Sequence, residues 1–380
     1  MARAKVSNYS VQRGMNYVVR KKWKFKPAPT AESMPVVAGP APRPLAPPLG
    51  ELVVFSSPQT QCGIAEYSRD LDVQLRAVGV NVRQHTLAEL DVLRNVQPGT
   101  VLLLHVEPSL LPTDFDNALA TAISRGAYVG VCFHYLDEVL YRRFANRSHA
   151  MIAHRNYGIS DPLLHEVPLG CPVYDAPSDS RRRQLREQLG LPVDATIVTT
   201  VGFLSPWKKI PEVSLQLLAQ MPDQSRMFLQ LVCPAHFSGE SRGEVEKLQQ
   251  VHSLHAHRSY WASSFVPVSE LLDRVAASDL GFVYHQVNTG SCSAATKPFV
   301  SARCPVVVTS SNHASDVAGA YRVPNFDVGS FAQTVLDVAR DPRMLQDLRS
   351  RMQADYERLN MNRVAQMYVD VYRKIGVNLA

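Results

Sequence analysis

Short apolar runs alternate with segments of helical period along most of this chain of 380 residues. The runs Leu52–Ser56, Thr100–Val106 and Tyr128–His134 are apolar almost throughout, whereas a strand buried on one face only would alternate with polar residues. Helical spacing over Gly63–Val78 and Asp114–Ser124 separates them. Strands buried on both faces and separated by helices are typical of a parallel sheet covered on each side. This pattern predicts an α/β domain.

The alternation stops once and then starts again. Val167–Asp175 contains proline and glycine without a period, and we expect the junction between two domains there. Strands are then predicted over Thr196–Phe203, Met227–Cys233, Leu280–Tyr284 and Pro305–Thr309. Helices are predicted over Arg181–Leu189, Ile210–Gln220, Ser269–Ala277, Ser293–Ala302, Phe331–Arg340, Met344–Leu359 and Val364–Ile375. Two such doubly wound domains, residues 51–175 and 176–360, would bind ligands in the cleft between their strand ends, with residues 361–380 packing back on the first domain.

The first fifty residues differ in composition from the rest. They hold nine Lys or Arg residues and one acidic residue, which leaves 31 basic and 33 acidic side chains, a net charge of −2, in the remaining chain. Residues 27–48 contain eight prolines, which disfavour helix and sheet, and Trp23 and Phe25 lie among the basic residues before them. We expect residues 1–50 to be a disordered tail, either free in solvent or in contact with DNA or an anionic membrane surface.

The composition is that of a globular protein, with 46% hydrophobic and 19% charged residues. No run approaches the ~18 apolar residues of a membrane span, and the basic N-terminus has no apolar segment of the kind found in secretory signals. The six cysteines lack CxxC spacing, and His252, His255 and His257 lack the spacing of metal ligands. We therefore expect a cytoplasmic protein, or one peripheral to a membrane or nucleic acid, without disulfides or a bound metal.

Two loops of the second predicted domain present small residues and lysine beside an apolar strand. One is VGFLSPWKK (Val201–Lys209), and the other opens TGSCSAATKPFVSARCPVVVTSS (Thr289–Ser311). Free backbone N–H groups and an ammonium group at a strand end bind anions, most often phosphate. Two such loops predict a diphosphate and hence a nucleotide-linked substrate. The candidate binding residues are Gly202, Lys208, Thr289, Gly290, Ser291 and Lys297.

These residues also have ordinary structural alternatives. Lys208 would stabilise a departing diphosphate, or would be a solvated lysine near a helix start. Ser291 would bind phosphate, or would cap the following helix. Lys297 would reach the same anion, or would point outward.

In the first domain, candidate residues lie where strands end. Glu107 follows the strand that contains His105, and its carboxylate would position or deprotonate an acceptor hydroxyl. His134 ends YVGVCFH, and its alternative is a satisfied histidine at a strand edge. Gly63 opens the first helix, where its backbone would approach a diphosphate, although one glycine does not make a dinucleotide or ATP loop.

The order of these segments resembles the large family of retaining nucleotide-sugar glycosyltransferases of GT-B fold, which includes glycogen synthase-like enzymes and mannosyltransferases. The similarity covers roughly residues 51–375. The matching segments are QCGIAEYSRDL (Gln61–Leu71), Phe133–His134, VPLGCP (Val167–Pro172), LREQLGLPVDATIVTTVGFLSPWK (Leu185–Lys208) and the C-terminal helices. The resemblance implies two Rossmann-like domains facing a central cleft, with His134 at the donor sugar near its anomeric carbon and Lys208 on the donor diphosphate.

Two family motifs are altered. The arginine that commonly follows the strand-end glycine is Phe203 here. The Glu-x7-Glu pair that normally holds the donor sugar and ribose is missing, because its positions are Gly290 and Pro298, or Thr289 and Lys297 after a one-residue shift.

The loops and the resemblance together predict a hexosyl- or pentosyltransferase. It would move a sugar from a UDP- or GDP-type donor to an acceptor hydroxyl, with retention and without a cofactor. The acceptors considered are a lipid-linked glycan, a polysaccharide and hydroxymethylated phage DNA. Two alternatives stay open: a nucleotide-sugar epimerase of related fold, and a non-catalytic protein that binds nucleotide, glycan or nucleic acid.

Overall fold

The computed structural model describes residues 50–58, 62–222, 226–236, 239, 241–288, 291–324 and 326–379. Apart from Gly50, the predicted basic tail lies outside these residues, as do Thr289 and Gly290. Two six-stranded sheets form the centre of the fold, and every strand pair in both is parallel.

The first sheet has the strand order β2-β1-β3-β4-β5-β6. Its strands are β1 Glu51–Ser56, β2 Asn81–Thr86, β3 Val101–Val106, β4 Tyr128–Phe133, β5 Ala150–Ala153 and β6 Leu164–Glu166. The helices between them are α1 Gly63–Ala77, α2 Leu90–Arg94, α3 Phe115–Ser124 and α4 Glu138–Ala145. Strand β3 is buried over its full length, as its sequence, apolar except for His105, predicts.

The second sheet has the order β12-β11-β10-β7-β8-β9. Its strands are β7 Thr196–Val201, β8 Met227–Val232, β9 Ser259–Ala262, β10 Leu280–Val283, β11 Val306–Thr309 and β12 Tyr321–Val323. The helices are α5 Asp179–Gln188, α6 Ile210–Gln220, α7 Arg242–Leu254, α8 Val268–Ala276, α9 Lys297–Ser301, α10 Val328–Arg340, α11 Pro342–Leu359 and α12 Met361–Lys374. Side chains cap the start of several helices. Asp327 caps α10 by accepting a hydrogen bond from the Ser330 amide, and Asn360 caps α12 through the Arg363 amide.

The strand orders fix where ligands can bind. In each sheet the order reverses beside the first strand of the series, between β1 and β3 in the first and between β7 and β10 in the second. A crevice opens at the carboxyl ends of the strands at such a reversal, and ligands of doubly wound folds bind there. The α/β prediction of two Rossmann-like, doubly wound domains is therefore confirmed.

One predicted helix has a different form. Instead of a continuous helix over Ser293–Ala302, the chain makes a 3-10 turn over Ala294–Thr296 and then the short helix α9. Pro298 lies in the first turn of α9 and lacks an N–H group, which suits a helix start at that point.

Helix α12 packs on the first sheet through two buried tyrosines. The hydroxyl of Tyr372 donates to the carbonyl of Leu102 at 2.7 Å, and the hydroxyl of Tyr368 lies 3.1 Å from that of Tyr67 on α1. Gly130 of β4 leaves room for Tyr372, because a Cβ atom there would lie 2.2 Å from its hydroxyl oxygen. The C-terminal helix therefore packs closely on the first sheet where Gly130 has no side chain.

We expect Gly130→Ala to lower the free energy of unfolding by about 2 kcal/mol, since the added methyl forces a fully buried tyrosine to move. Thermal unfolding of the variant checks this. Gly243→Ala is the control, because a Cβ at Gly243 meets no atom within 4 Å. The double variant Gly130→Ala/Tyr372→Phe should recover part of the loss. If Gly130→Ala is as stable as Gly243→Ala, the described packing of α12 is wrong.

No helix in the described part of the chain has the length and apolar character needed to cross a membrane.

Candidate active site

Lys208 lies in the loop that leaves β7, beside the strand-order reversal of the second sheet. Its ammonium donates to the carbonyl of Phe203 at 2.9 Å, and no carboxylate of the described residues pairs with it. Burial lowers the pKa of Lys208 to about 8, and the neighbouring Cys233 acts in the opposite direction. Lys208 is half-buried, and a desolvated cation without an anionic partner is unfavourable in the free protein and favours binding of an anion.

Two glycines bring three chain segments together around this lysine. A Cβ at Gly202 would lie 3.5 Å from the Lys208 Nζ and 3.2 Å from the Cβ of Ala295. A Cβ at Gly63, the first residue of α1, would lie 3.4 Å from the Cβ of Ala294. The start of α1 in the first domain therefore meets the 3-10 turn at 294–296 in the second. Gly202 also has φ of 111°, a conformation that favours glycine.

A stacked histidine pair lies next to Lys208. The rings of His285, which follows β10, and His313, which follows β11, have centroids 4.2 Å apart at 18°. His285 Nε2 lies 3.1 Å from the hydroxyl of Ser293, and His313 Nδ1 lies 3.5 Å from that of Ser291. Burial, followed by the charges of Arg155 and Lys208, lowers the pKa of His313 to about 4. The pKa of His285 is likewise lowered, by burial, His313 and Lys208, so both rings are neutral at pH 7.

A second group of histidines lies across the cleft, at the ends of β3, β4 and β5. His134 Nε2 is 3.0 Å from His105 Nδ1 and 4.0 Å from Cys132 Sγ. His154 Nε2 is 3.5 Å from the same sulfur, and its Nδ1 is 3.0 Å from the carbonyl of Val167. His105 and His154 are buried, whereas His134 is half-buried.

Burial sets the protonation of this group. It lowers the pKa of His105 to about 3 and that of His154 to about 4, with His154 adding to the effect on His105. The pKa of His134 is lowered well below its usual range by burial and by both neighbouring histidines. Burial also raises the pKa of the Cys132 thiol to about 12. The group is therefore uncharged at pH 7.

The two domains touch at the carboxyl ends of their strands. Tyr135, which follows His134, forms an antiparallel bridge with Ser291, and an Arg155 Nη atom donates to the carbonyl of Asn312 at 3.1 Å. His134 and the Lys208 region therefore belong to one cleft, as two facing domains predict.

The predicted site residues fall into two sets. Gly202, Lys208 and Ser291 lie in loops at the cleft, Gly63 starts α1 next to them, and His134 lies beside the Tyr135–Ser291 bridge. The other two described candidates already have internal partners. Lys297 is buried in an ion pair with Asp316, and Glu107 caps the 3-10 turn Pro108–Leu110 by accepting from the amide and hydroxyl of Ser109.

Sequence reasoning missed four polar residues of the cleft. His285 and His313 follow strands that were predicted, so the rule that selected His134 could have found them. Arg155 and His154 follow β5, whose four residues AMIA give too short a signal to be distinguished from a helix or loop.

The sequence matches no protein-family profile and no curated protein sequence significantly. Solved structures resemble its fold. HepE from Anabaena, solved in complex with UDP and glucose, is 14% identical with a TM-score of 0.65, covering 85% of this chain and 100% of its own. OtsA, solved without ligand, is 12% identical with a TM-score of 0.62, covering 84% and 99%.

A third similar structure is the α,α-trehalose 6-phosphate synthase of Burkholderia multivorans. It is 16% identical with a TM-score of 0.57, covering 82% of this chain and 77% of its own. Identities this low establish the fold and nothing finer. The chain therefore has the GT-B architecture, in which two Rossmann-like domains face a central cleft.

Proposed function

We propose that this protein is a glycosyltransferase that moves a sugar from a nucleoside diphosphate sugar to an acceptor hydroxyl. The observation that carries the proposal is the Lys208 ammonium, half-buried at the strand-order reversal of the second sheet without an anionic partner among the described residues. A diphosphate bound there would supply the missing negative charge.

The same ammonium has a role in the reaction. Negative charge accumulates on the leaving diphosphate as the bond to the sugar breaks, and a preorganised cation lowers the free energy of that transition state. We propose that Lys208 does this in place of a divalent cation. Gly202 and Gly63 would let the backbone approach the phosphates closely, and Ser291 would donate to a phosphate oxygen.

We propose a donor of UDP type, because HepE has been solved with UDP and with UDP-glucose. The half-buried ring of His134 would contact the sugar from the first domain. We also propose retention of the anomeric configuration, in line with the family resemblance and with a related trehalose-6-phosphate synthase studied for glycosyl transfer with retention. A hexose and a pentose both remain candidates.

The acceptor would be a hydroxyl group of a lipid-linked glycan, a polysaccharide or hydroxymethylated DNA. The excess of basic residues in 1–50 supports a polyanionic acceptor or surface. Deleting residues 1–26 should then weaken binding to DNA or to anionic vesicles, whichever is the partner, and should reduce the salt dependence of that binding.

The proposal is tested by thermal unfolding of the full chain with UDP, GDP, ADP and CMP, each compared with its sugar conjugates. A nucleotide at 100 times its dissociation constant stabilises the folded state by about 2.7 kcal/mol. Stabilisation by one nucleoside diphosphate identifies the donor base. Binding without release of sugar supports the non-catalytic alternative, and conversion of one donor sugar into its epimer supports the epimerase.

The affinity for UDP should depend on pH through Lys208. Because the pKa of Lys208 is about 8 in the free protein and a diphosphate favours the charged form, binding takes up a proton above that pH. The dissociation constant should therefore rise about 30-fold between about pH 7 and about pH 9.5. Calorimetric titration with UDP at several pH values measures this. A flat profile would exclude Lys208 as the phosphate-binding group, and Lys208→Met should abolish the dependence.

A further inference from the structure

His105, Cys132 and His134 bring their possible metal-ligand atoms close together at the ends of β3 and β4, beside the cleft. One ligand atom of each residue, a ring nitrogen or the Cys132 sulfur, lies within 4.8 Å of those of the other two. Within the part of the chain that the structure describes, this is the one group of three or more His, Cys, Asp or Glu residues with such geometry. We call it the histidine–cysteine cluster.

The spacing of the atoms fits a tetrahedral ion. With metal–nitrogen bonds of about 2.0–2.1 Å and a metal–sulfur bond of about 2.3 Å, ligand atoms of a tetrahedral site lie roughly 3.3–3.6 Å apart. The distances in the cluster are 3.0 Å between the two ring nitrogens and 4.0 Å from Cys132 Sγ to His134 Nε2. Both distances differ from the tetrahedral range by a few tenths of an ångström, so small side-chain rotations bring these atoms to bonding distance of one ion.

His154 lies beside Cys132, next to the three mutually close residues of the cluster. Its Nε2 is 3.5 Å from Cys132 Sγ, and its Nδ1 lies 3.0 Å from the Val167 carbonyl. Only an Nδ1–H can make that hydrogen bond, so Nε2 carries a lone pair directed at the cluster. Metal-bound histidines usually have their second ring nitrogen held in this way.

Aromatic side chains enclose the cluster. The ring of Tyr67 packs edge-on against His105, His134 and His154, with centroids 5.3–5.8 Å apart. The hydroxyl of Tyr368 lies 3.1 Å from Cys132 Sγ, and it can donate a hydrogen bond to a thiolate. The cluster thus has both its ligand atoms and groups that hold them.

We propose that His105, Cys132 and His134 bind a divalent transition-metal ion of the zinc class, with His154, next to Cys132, turning in as the fourth ligand. Imidazole and thiolate ligands favour Zn²⁺ and Co²⁺ over Mg²⁺ and Ca²⁺, which bind oxygen. On binding, the Cys132 thiol releases its proton to solvent. Resting on the proposed function, we further infer that the ion inhibits transfer, because it holds the His134 ring that would otherwise contact the donor sugar.

The test is titration of the metal-free full chain with Co²⁺, followed by absorption. We expect one equivalent of Co²⁺ to produce the intense visible bands of a tetrahedral site and a near-ultraviolet thiolate-to-cobalt band. Cys132→Ser should remove the near-ultraviolet band, and His105→Gln should weaken binding at least about tenfold. Cys304→Ser is the control. Cys304 is buried in the second domain, away from the cluster, and its thiol donates hydrogen bonds to backbone carbonyls. Thermal unfolding of each variant establishes that it is folded.

Absence of Co²⁺ binding by the wild-type chain, or a near-ultraviolet band that survives in folded Cys132→Ser, overturns the metal site. Inhibition of donor cleavage by Zn²⁺ that is lost in Cys132→Ser supports the inhibitory role. Metal binding without inhibition overturns that role alone. Because UDP binding is measured on the metal-free protein, failure of the proposed function and failure of the metal site are separate results.

Discussion

Replacing Lys208 with methionine will weaken the binding of UDP about 100-fold and slow sugar release from the donor by about 10²–10³-fold. The affinity falls because the diphosphate loses a charge-assisted hydrogen bond from Lys208. No carboxylate of the described residues pairs with that ammonium, so its charge is available to the ligand. The rate falls further because the charge on the leaving group grows in the transition state. Calorimetry with UDP and measurement of donor cleavage check the two effects.

The same substitution should stabilise the unliganded protein by about 1–3 kcal/mol at neutral pH. The pKa of Lys208 is lowered from 10.5 to about 8 in the folded state. Below about pH 8 the charged lysine therefore lowers the free energy of unfolding. That cost disappears as the pH rises towards the pKa of the unfolded chain. Lys247→Met is the control, because Lys247 is an exposed lysine paired with Glu212 and Glu244. Equal behaviour of the two variants towards UDP would refute the role of Lys208.

Replacing Asp316 with alanine will lower the free energy of unfolding by about 3–5 kcal/mol and the melting temperature by about 10 °C. The side chains of Asp316 and Lys297 are each 4% exposed, and their ion pair is internal to the second domain. Without the carboxylate, a buried ammonium is left unpaired, which costs more than the pair itself contributes. Thermal unfolding measures the change.

The double variant Lys297→Met/Asp316→Ala separates the charge from the packing. Removal of both charges should restore most of the lost stability. The matched control is Asp347→Ala, which breaks an exposed pair with Arg351 and should cost less than about 0.5 kcal/mol. An Asp316→Ala variant as stable as this control would contradict the buried pair. If UDP rescues Asp316→Ala selectively, Lys297 is able to reach the diphosphate after all.

The sequence predicts the fold because its central strands are apolar on both faces. Strand β7 is a continuous run of β-branched residues, and β3 is apolar except for His105, unlike the alternating pattern of an amphipathic helix. Strand β2, with the sequence NVRQHT, has little such signal because it is an edge strand in which only Val82 is buried. The end strands β6 and β12 have three residues each, too few to show a period.

The site is predictable only as far as strand order determines it. Parallel strands deliver the residues after their carboxyl ends to one edge, which is why His134 and Lys208 could be selected from sequence. Side-chain partners are set by contacts between distant segments instead. The pairing of Lys297 with Asp316 and the approach of His105 to Cys132 leave no pattern in the linear sequence.

The most direct test of the account is to follow the full chain with a panel of UDP- and GDP-sugars by proton NMR, observing nucleotide release and the anomer of the first sugar product. We predict release of the nucleoside diphosphate from one donor, with the sugar appearing first in the donor's own anomeric configuration, and a large loss of rate in Lys208→Met. Release of the opposite anomer would contradict retention. No release from any donor, with acceptor polymers present or absent, would contradict glycosyl transfer itself.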